Sequence, residues 1–296
     1  MNAVVYYLAL PFIYLISYLP FWLLYRISDI CFVLLYYVVG YRKRVVMANL
    51  RNSFPEKTES EIKRIRKDFY RYFCDLILET LKTLTITPKA VRRRVQFEKK
   101  DVAVFQQFVD QQQSVIIAMG HWGNWELAGA RFAAENICPL YVIYHPLRNP
   151  YFEKLIVHMR TRLGNGLFAM KDTFREMVRH RKEVTATAFI ADQTPHNLKT
   201  AIWTEFLRQD TPVFPGTEII AKKLNYPVVY VGTRRLKRGH YRMECEVLVA
   251  EPTNTEEHAI TEQHTRRLEQ DINIQPETWL WTHRRWKHQR PEGKME

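Results

Sequence analysis

Gly120-His121-Trp122-Gly123-Asn124-Trp125-Glu126 brings an imidazole, a carboxylate and two indoles into one short stretch. A carboxylate on one imidazole nitrogen fixes the tautomer and stabilises the imidazolium. The other nitrogen is then free to take a proton from a hydroxyl. The spacing needs care, because His121 and Glu126 are five residues apart. On a continuous helix that separation turns them about 140° away from each other. If His121 sits in a loop before the helix, the chain can fold back and the two can meet. Taken alone the pair also reads as structural, but two tryptophans in a turn argue for a built surface. The spacing is not H-E-x-x-H, so a zinc-protease site lacks support. No Ser or Cys stands beside the pair in a nucleophile elbow, so an acyl-enzyme is not required.

Such a pair must be held by the elements on either side. Val115–Met119 is a short apolar run and reads as a buried strand, and Asn124 is placed to cap a helix that carries Glu126 in its first turn. A strand, a Gly-containing turn and a helix put the turn at the carboxyl end of the strand, where open α/β sheets build their sites. Further on, Pro139–Tyr144, Val184–Ile190 and Pro227–Gly232 read as strands, and Tyr241–Val249 as a half-exposed one. Glu126–Glu135, Tyr151–Leu163, Glu218–Leu224 and Thr255–Ile274 read as helices. The alternation predicts an α/β domain with a central, mostly parallel sheet flanked by helices. Before it, Ile62, Ile65, Phe69, Phe73, Leu76, Leu81 and Leu84 recur at helical spacing across 60–84, opposite Lys63, Arg64, Arg66, Lys67 and Arg71. That basic face, with Arg92–Arg94, is either a solvated surface or one that rests on anionic headgroups.

The N-terminus is different in kind. No charged side chain occurs in the first 25 residues, and the run from Ala3 to Tyr25 is long enough to cross a hydrocarbon core. Pro11 and Pro20 interrupt it, and a second apolar run covers Ile30–Tyr41. It can be a spanning helix, a bent hairpin in one leaflet, or a pair packed on the domain. Without a basic n-region a cleaved signal peptide is not expected. Arg42, Lys43, Arg44 and Arg51 follow at once and put the rest of the chain on the cytoplasmic side. Two units are expected: residues 1–41, a membrane-associating segment, and 42–296, the catalytic domain.

The motif resembles the H-x4-D/E block of the glycerolipid acyltransferase superfamily. Its fuller wording resembles the late acyltransferases of lipid A biosynthesis, the lauroyl and myristoyl transferases. Three further stretches agree in order: Tyr144–Pro150 followed by Arg160, Arg162 and Gly164; Ala191-Asp192-Gln193-Thr194-Pro195; and the tryptophan-rich Trp279–Lys287. The likeness spans about residues 110–287. It implies His121 as general base, Glu126 as its orienting carboxylate, and an arginine on the oxyanion or a phosphate. Arg162 is chosen for that arginine, with Arg160 and Arg148 as alternates. Asp192 is expected to fix the arginine or the acceptor. Trp122, Asn124, Gln193, Arg284 and Arg285 join the substrate-binding candidates, although Trp279–Lys287 reads equally as a tail folded over the core. The family often has Arg where this chain has His145, which is read as a polar residue rather than a second base. Phe214-Pro215-Gly216-Thr217-Glu218 looks like the F-P-E-G-T-R block of glycerol-phosphate acyltransferases but lacks its charges, and reads as a turn into a helix.

The implied reaction moves a fatty acyl chain from acyl carrier protein to a hydroxyl of a lipid A precursor at the bacterial inner membrane. It needs no cofactor and no metal, the thioester being a co-substrate. A formal charge of +13 fits an acidic carrier, a phosphorylated lipid acceptor and an anionic membrane surface. No nucleic-acid-binding wording is present. Cys31, Cys74, Cys138 and Cys245 lack C-x-x-C spacing and read as buried thiols rather than a zinc site. Two alternatives stay open: acylation of another lipid (a lysophospholipid, glycolipid or amino-acid lipid), and a non-catalytic basic protein that binds anionic lipid.

Overall fold

A computed structural model of the chain describes residues 2–290, so the outermost ends of the units 1–41 and 42–296 lie outside the described residues. The N-terminal run folds as α1 (Asn2–Tyr18) and α2 (Phe21–Val33), the latter continued by a π-helical turn over Leu34–Val39. The break falls at Pro20, which cannot continue the α1 hydrogen-bond ladder but starts α2 well. Then come α3 (Lys43–Ser53) and the long α4 (Glu59–Lys82). Thr58 and Glu61 form a reciprocal capping box that fixes the start of α4. After α5 (Pro88–Arg94), β1 (Val95–Phe97) and α6 (Lys99–Asp110) the alternating part begins. It consists of β2 (Val115–Met119), α7 (Trp125–Glu135), β3 (Leu140–Tyr144), α8 (Pro150–Thr161), β4 (Gly166–Ala169), α9 (Thr173–Arg179) and β5 (Ala186–Ile190). A hairpin of β6 (Ile202–Phe206) and β7 (Gln209–Val213) follows, then α10 (Gly216–Leu224), β8 (Val228–Lys237), β9 (His240–Val249) and α11 (Ala259–Ile274).

Seven strands form the main sheet in the order β1-β9-β8-β2-β5-β3-β4. Neighbours run parallel except β8 and β9, which form an antiparallel hairpin. The α/β architecture with a mostly parallel sheet agrees with the sequence expectation. Side chains alternate across β2: Val115 and Ile117 pack with Leu127 and Phe132 of α7, while Ile116 and Ala118 pack with Met177 of α9, Ala221 of α10 and Ile260 of α11. Helices therefore cover both faces, as a parallel sheet requires. A third apolar cluster, built on Phe69, Trp122, Trp279 and Trp281, sits at the carboxyl end of β2 and closes that end of the molecule.

Three expectations need correction. The predicted helix Thr255–Ile274 starts at Ala259, because Pro252–Asn254 make a tight turn and His258 has φ 67°. Strand β8 runs on to Lys237, well past Gly232, because β9 pairs along its length. The β6–β7 hairpin has no counterpart in the sequence reading. Its turn residues Leu207 and Arg208 both have positive φ (51° and 60°) without the Asn or Gly that announces such a turn.

The N-terminal helices are packed on the domain, not detached from it. Leu24, Ser28 and Phe32 of α2 are buried. Tyr6, Leu10 and Ile13 of α1 lie against Leu155 and Met159 of α8. The outer sides stay apolar, with Phe12, Leu15, Trp22 and Val38 each more than 60% exposed. Phe21–Val39 is long and apolar enough to cross a membrane, and Ala3–Tyr18 is shorter.

Candidate active site

Strand register builds the centre of the site. Met119 at the end of β2 pairs with Ile190 at the end of β5. His121 and Asp192 each lie two residues beyond that pair, so they leave the sheet side by side. The His121 backbone N–H donates to Asp192 Oδ2 at 2.9 Å, and His121 Nδ1 lies 2.6 Å from Asp192 Oδ1. Trp279 Nε1 donates to Oδ2 at 2.8 Å. Burial pushes the Asp192 carboxyl up, but the His121 charge, the His121 hydrogen bonds and the Trp279 donor outweigh it and hold the group at about 2. An ionised Asp192 keeps the Nδ1 proton in place, which leaves His121 Nε2 with a lone pair. Gln193 Nε2 sits 3.3 Å from that nitrogen, as a donor to it in this tautomer.

Among the described residues Glu126 makes no hydrogen bond to His121. It lies in the first turn of α7 and faces α8, where Arg160 Nε meets its two oxygens at 3.2 and 3.1 Å and a second Arg160 nitrogen also bonds to it. The five-residue spacing is thus not closed by the chain folding back; the carboxylate on the imidazole comes from another strand. Arg162, the first choice for an oxyanion donor, is also elsewhere. It is the C-cap of α8, and its Nη1 donates to the carbonyls of Thr83 and Ile86 at 2.9 and 2.8 Å. Two residues along a helix rotate the side chain by about 200°, so Arg160 and Arg162 face opposite ways, and Arg160 is the arginine beside the motif. Arg148 is exposed in the loop before α8.

The turn itself is held from beneath. Gly123 has φ +63°, and a Cβ there would stand 1.6 Å from the Thr233 carbonyl oxygen. Its own carbonyl accepts from the Tyr72 hydroxyl at 2.5 Å, and its N–H donates to Thr278 O at 3.0 Å. Asn124 caps α7, accepting from the Leu127 N–H, while its amide donates to the buried Glu79 at 2.7 Å. Tyr25 and Tyr241 donate to the same Glu79 carboxylate, so α2, α4, α7 and β9 meet there. Trp122 is buried and donates to Gln275 O at 3.1 Å. Trp122 and Asn124 therefore build the turn, and neither lines the cavity beside His121. Trp125, which the sequence left unassigned, stands edge-on to the His121 ring at 4.8 Å.

The C-terminal segment folds over this end of the sheet. Trp279 and Trp281 are buried, and Leu280 N–H donates to His121 O at 3.2 Å. Arg285 is 1% exposed, with Asp192, Tyr230 and His264 around it, which removes it from phosphate contact in solvent. Arg284 is exposed. Burial lowers His283 to about 4, so it is neutral and its Nε2 accepts from the Thr194 N–H at 3.1 Å, which anchors the loop after β5. Glu218, in the stretch Phe214–Glu218, is buried and binds the backbone N–H groups of His258 and Thr261 at the start of α11. That stretch is a turn into a helix.

A cavity of about 610 Å³ opens at His121. Its mouth carries His121, Gln193, His145, His196, His283 and Lys287, with the Glu126–Arg160 pair in the wall. Its depth is apolar, between Ile117, Val142 and Ala188 of the sheet and Ala128, Phe132 and Met159 of the helices above. No group of three or more metal-ligating side chains occurs among the described residues. A basic nitrogen at the mouth of a long apolar cavity suits proton removal from a polar acceptor while a hydrocarbon chain lies inside.

The chain is similar to known acyltransferases. A lipid A biosynthesis palmitoleoyltransferase of Escherichia coli (strain K12) is 23% identical over 255 residues, covering 86% of this chain and 81% of that protein. A lipid A biosynthesis acyltransferase of Shigella flexneri matches at the same identity and coverage. The family model described as bacterial lipid A biosynthesis acyltransferase matches residues 1–288, nearly the whole chain and every element of the site. With fold, site and family model in accord, this chain belongs to the bacterial lipid A biosynthesis acyltransferases.

Proposed function

We propose that the protein transfers a fatty acyl chain from the thioester of acyl carrier protein to a hydroxyl of a lipid A precursor, with His121 as general base and Asp192, rather than Glu126, as the carboxylate that orients it. The observation that carries this reading is the pairing of His121 Nδ1 with Asp192 at the mouth of an apolar cavity. The acceptor hydroxyl gives its proton to His121 Nε2 as its oxygen attacks the thioester carbonyl. Arg160, fixed by Glu126, supplies positive charge near the oxyanion that forms. As the tetrahedral intermediate collapses, the C–S bond breaks and the imidazolium protonates the departing thiolate. An ester and a free carrier thiol result, without a covalent enzyme intermediate. The site uses no cofactor and no metal. The catalytic domain works on the cytoplasmic face of the bacterial inner membrane, where phosphates of the acceptor meet the basic surface.

The test is transfer of labelled acyl from acyl carrier protein to a lipid A precursor by purified wild type, His121→Ala, Asp192→Asn and Glu126→Gln, each checked by circular dichroism. His121→Ala and Asp192→Asn are expected to lose at least about a hundredfold in rate, the usual contribution of a general base. Glu126→Gln keeps the His121–Asp192 pair and is expected to lower kcat without moving the acid limb of the pH profile. Full activity in folded His121→Ala would refute the base assignment. A displaced acid limb in Glu126→Gln would return the orienting role to Glu126.

A further inference from the structure

The polar groups of the cavity gather at its mouth, except Asn165 and Thr83. Asn165 lines it at the opposite end, is 9% exposed, and has a carboxamide oxygen with no hydrogen-bond partner. Among the described residues it is the only one in the cavity wall with such an orphaned buried polar atom. The neighbouring Thr83 hydroxyl, by contrast, donates to Thr80 O at 2.6 Å. Register fixes the depth. Asn165 precedes Gly166, which pairs with Tyr141; Tyr141 pairs with Thr187, and Thr187 with Ile116. Asn165 is therefore level with Val115, at the start of β2, whereas His121 lies just past the end of that strand. The four steps from Val115 to Met119 at 3.3 Å each put the two levels more than about 13 Å apart. The stretch between them is walled by Ile117, Val142, Ala188 and Met159. The carboxamide is set against α7, its nitrogen 3.4 Å from where a Cβ on Gly129 would stand.

A buried carboxamide takes its hydrogen bonds from whatever shares its space, and here no protein group offers one to its oxygen. Water can satisfy it; a methyl terminus cannot. A hydrocarbon chain that stops short of Asn165 leaves the amide hydrated. One that reaches it strips that water and returns nothing. We propose that Asn165 sets the length of the acyl chain this enzyme transfers, by the polarity of its carboxamide and not by its bulk. The inference rests on the reading of this cavity as the acyl site.

Polarity and bulk are separable by substitution. Asn165→Val and Asn165→Leu remove the amide but are no smaller than Asn, whereas Asn165→Ala removes both. Asn165→Asp keeps a polar group of the same shape. Purified wild type and the four variants would be assayed with a series of saturated acyl carrier protein thioesters from decanoyl to stearoyl, with thermal melts to confirm folding. The valine, leucine and alanine variants are expected to favour longer chains, the preference of the longest over the wild-type optimum rising on the order of tenfold. The aspartate variant is expected to keep the wild-type optimum or a shorter one. If only alanine lengthens the preference, Asn165 is a steric floor and the proposal is overturned. An unchanged profile in all four variants overturns it as well. Failure of wild type with every thioester would instead sink the acyl-site reading, so the two failures are distinct; either apolar variant alone suffices if the other does not fold.

Discussion

Asp192 connects three parts of the chain at one carboxylate: the motif turn through two His121 hydrogen bonds, the C-terminal segment through Trp279, and its own strand end. Because these partners hold it ionised at about 2, folding stability depends on it. Its folded pKa lies below the ordinary value of 3.8, so the contribution is complete above about pH 4 and is lost as pH falls through 2. The histidines act in a higher window. Burial lowers His264 and His283 to about 4, so the folded state refuses protons that the unfolded chain accepts below 6.5. Stability from both is full above about pH 6.5 and falls as pH drops toward 4, with His264 alone worth on the order of 3 kcal/mol. Urea unfolding followed from pH 7.5 to 4 is expected to show this loss, and His264→Gln to flatten it. A midpoint that does not move with pH over that range would contradict the assignment.

At the scale of elements, the site depends on how closely β8 passes under the motif turn. Gly123 brings backbone against the Thr233 carbonyl, where a Cβ has no room, and its φ of +63° lies in the left-handed region that glycine enters at least cost. Gly123→Ala is therefore expected to destabilise the protein by more than about 1 kcal/mol and to lower turnover together with stability, because the loop carrying His121 must shift. Thermal unfolding and the acyl-transfer rate would check both; an alanine variant with wild-type stability would show that the loop has room the geometry denies. The same turn is fastened from α4 by Tyr72 and Glu79. Burial pushes the Glu79 carboxyl up, against the donors Tyr241, Tyr25 and Asn124. Residues 2–39 are thus part of the scaffold as well as a separate apolar surface, since Tyr25 and Ser28 of α2 bond to Glu79 and Asp75 of α4.

The whole molecule presents a continuous apolar outer side on α1 and α2 next to a strongly basic chain. Exposed Phe12 (66%) and Trp22 (68%) on those helices, with a net charge of +13, are the features by which this side would bind an anionic bilayer. Replacing Phe12 or Trp22 by Ser is expected to weaken sedimentation with anionic phospholipid vesicles roughly tenfold each, given the apolar area lost from contact with lipid. Circular dichroism should stay unchanged, because neither side chain packs inside. Vesicle binding as tight as wild type in the double variant would move the membrane contact to another surface.

The sequence by itself determined what is local. Hydrophobic periodicity marked the alternating strands and helices after residue 114, Asn124 announced a cap, and the composition of residues 120–126 marked the turn where chemistry is done. Asp192 and Gln193 came as site residues through the resemblance of residues 191–195 to a family block, and Asp192 also follows a buried strand. Which carboxylate meets His121 was not local. That depends on β2 and β5 being neighbours in register, a pairing between residues 71 apart that no spacing within the motif encodes. The same holds for Arg160 against Arg162, since a two-residue difference on α8 becomes a choice of side only once α7 packs beside it. Trp279 stood out within its tryptophan-rich stretch, but its bond to Asp192 did not. Glu79 under the turn and Asn165 in the depth of the cavity are ordinary residues in their own stretches, and become part of the site only through contacts that close in three dimensions.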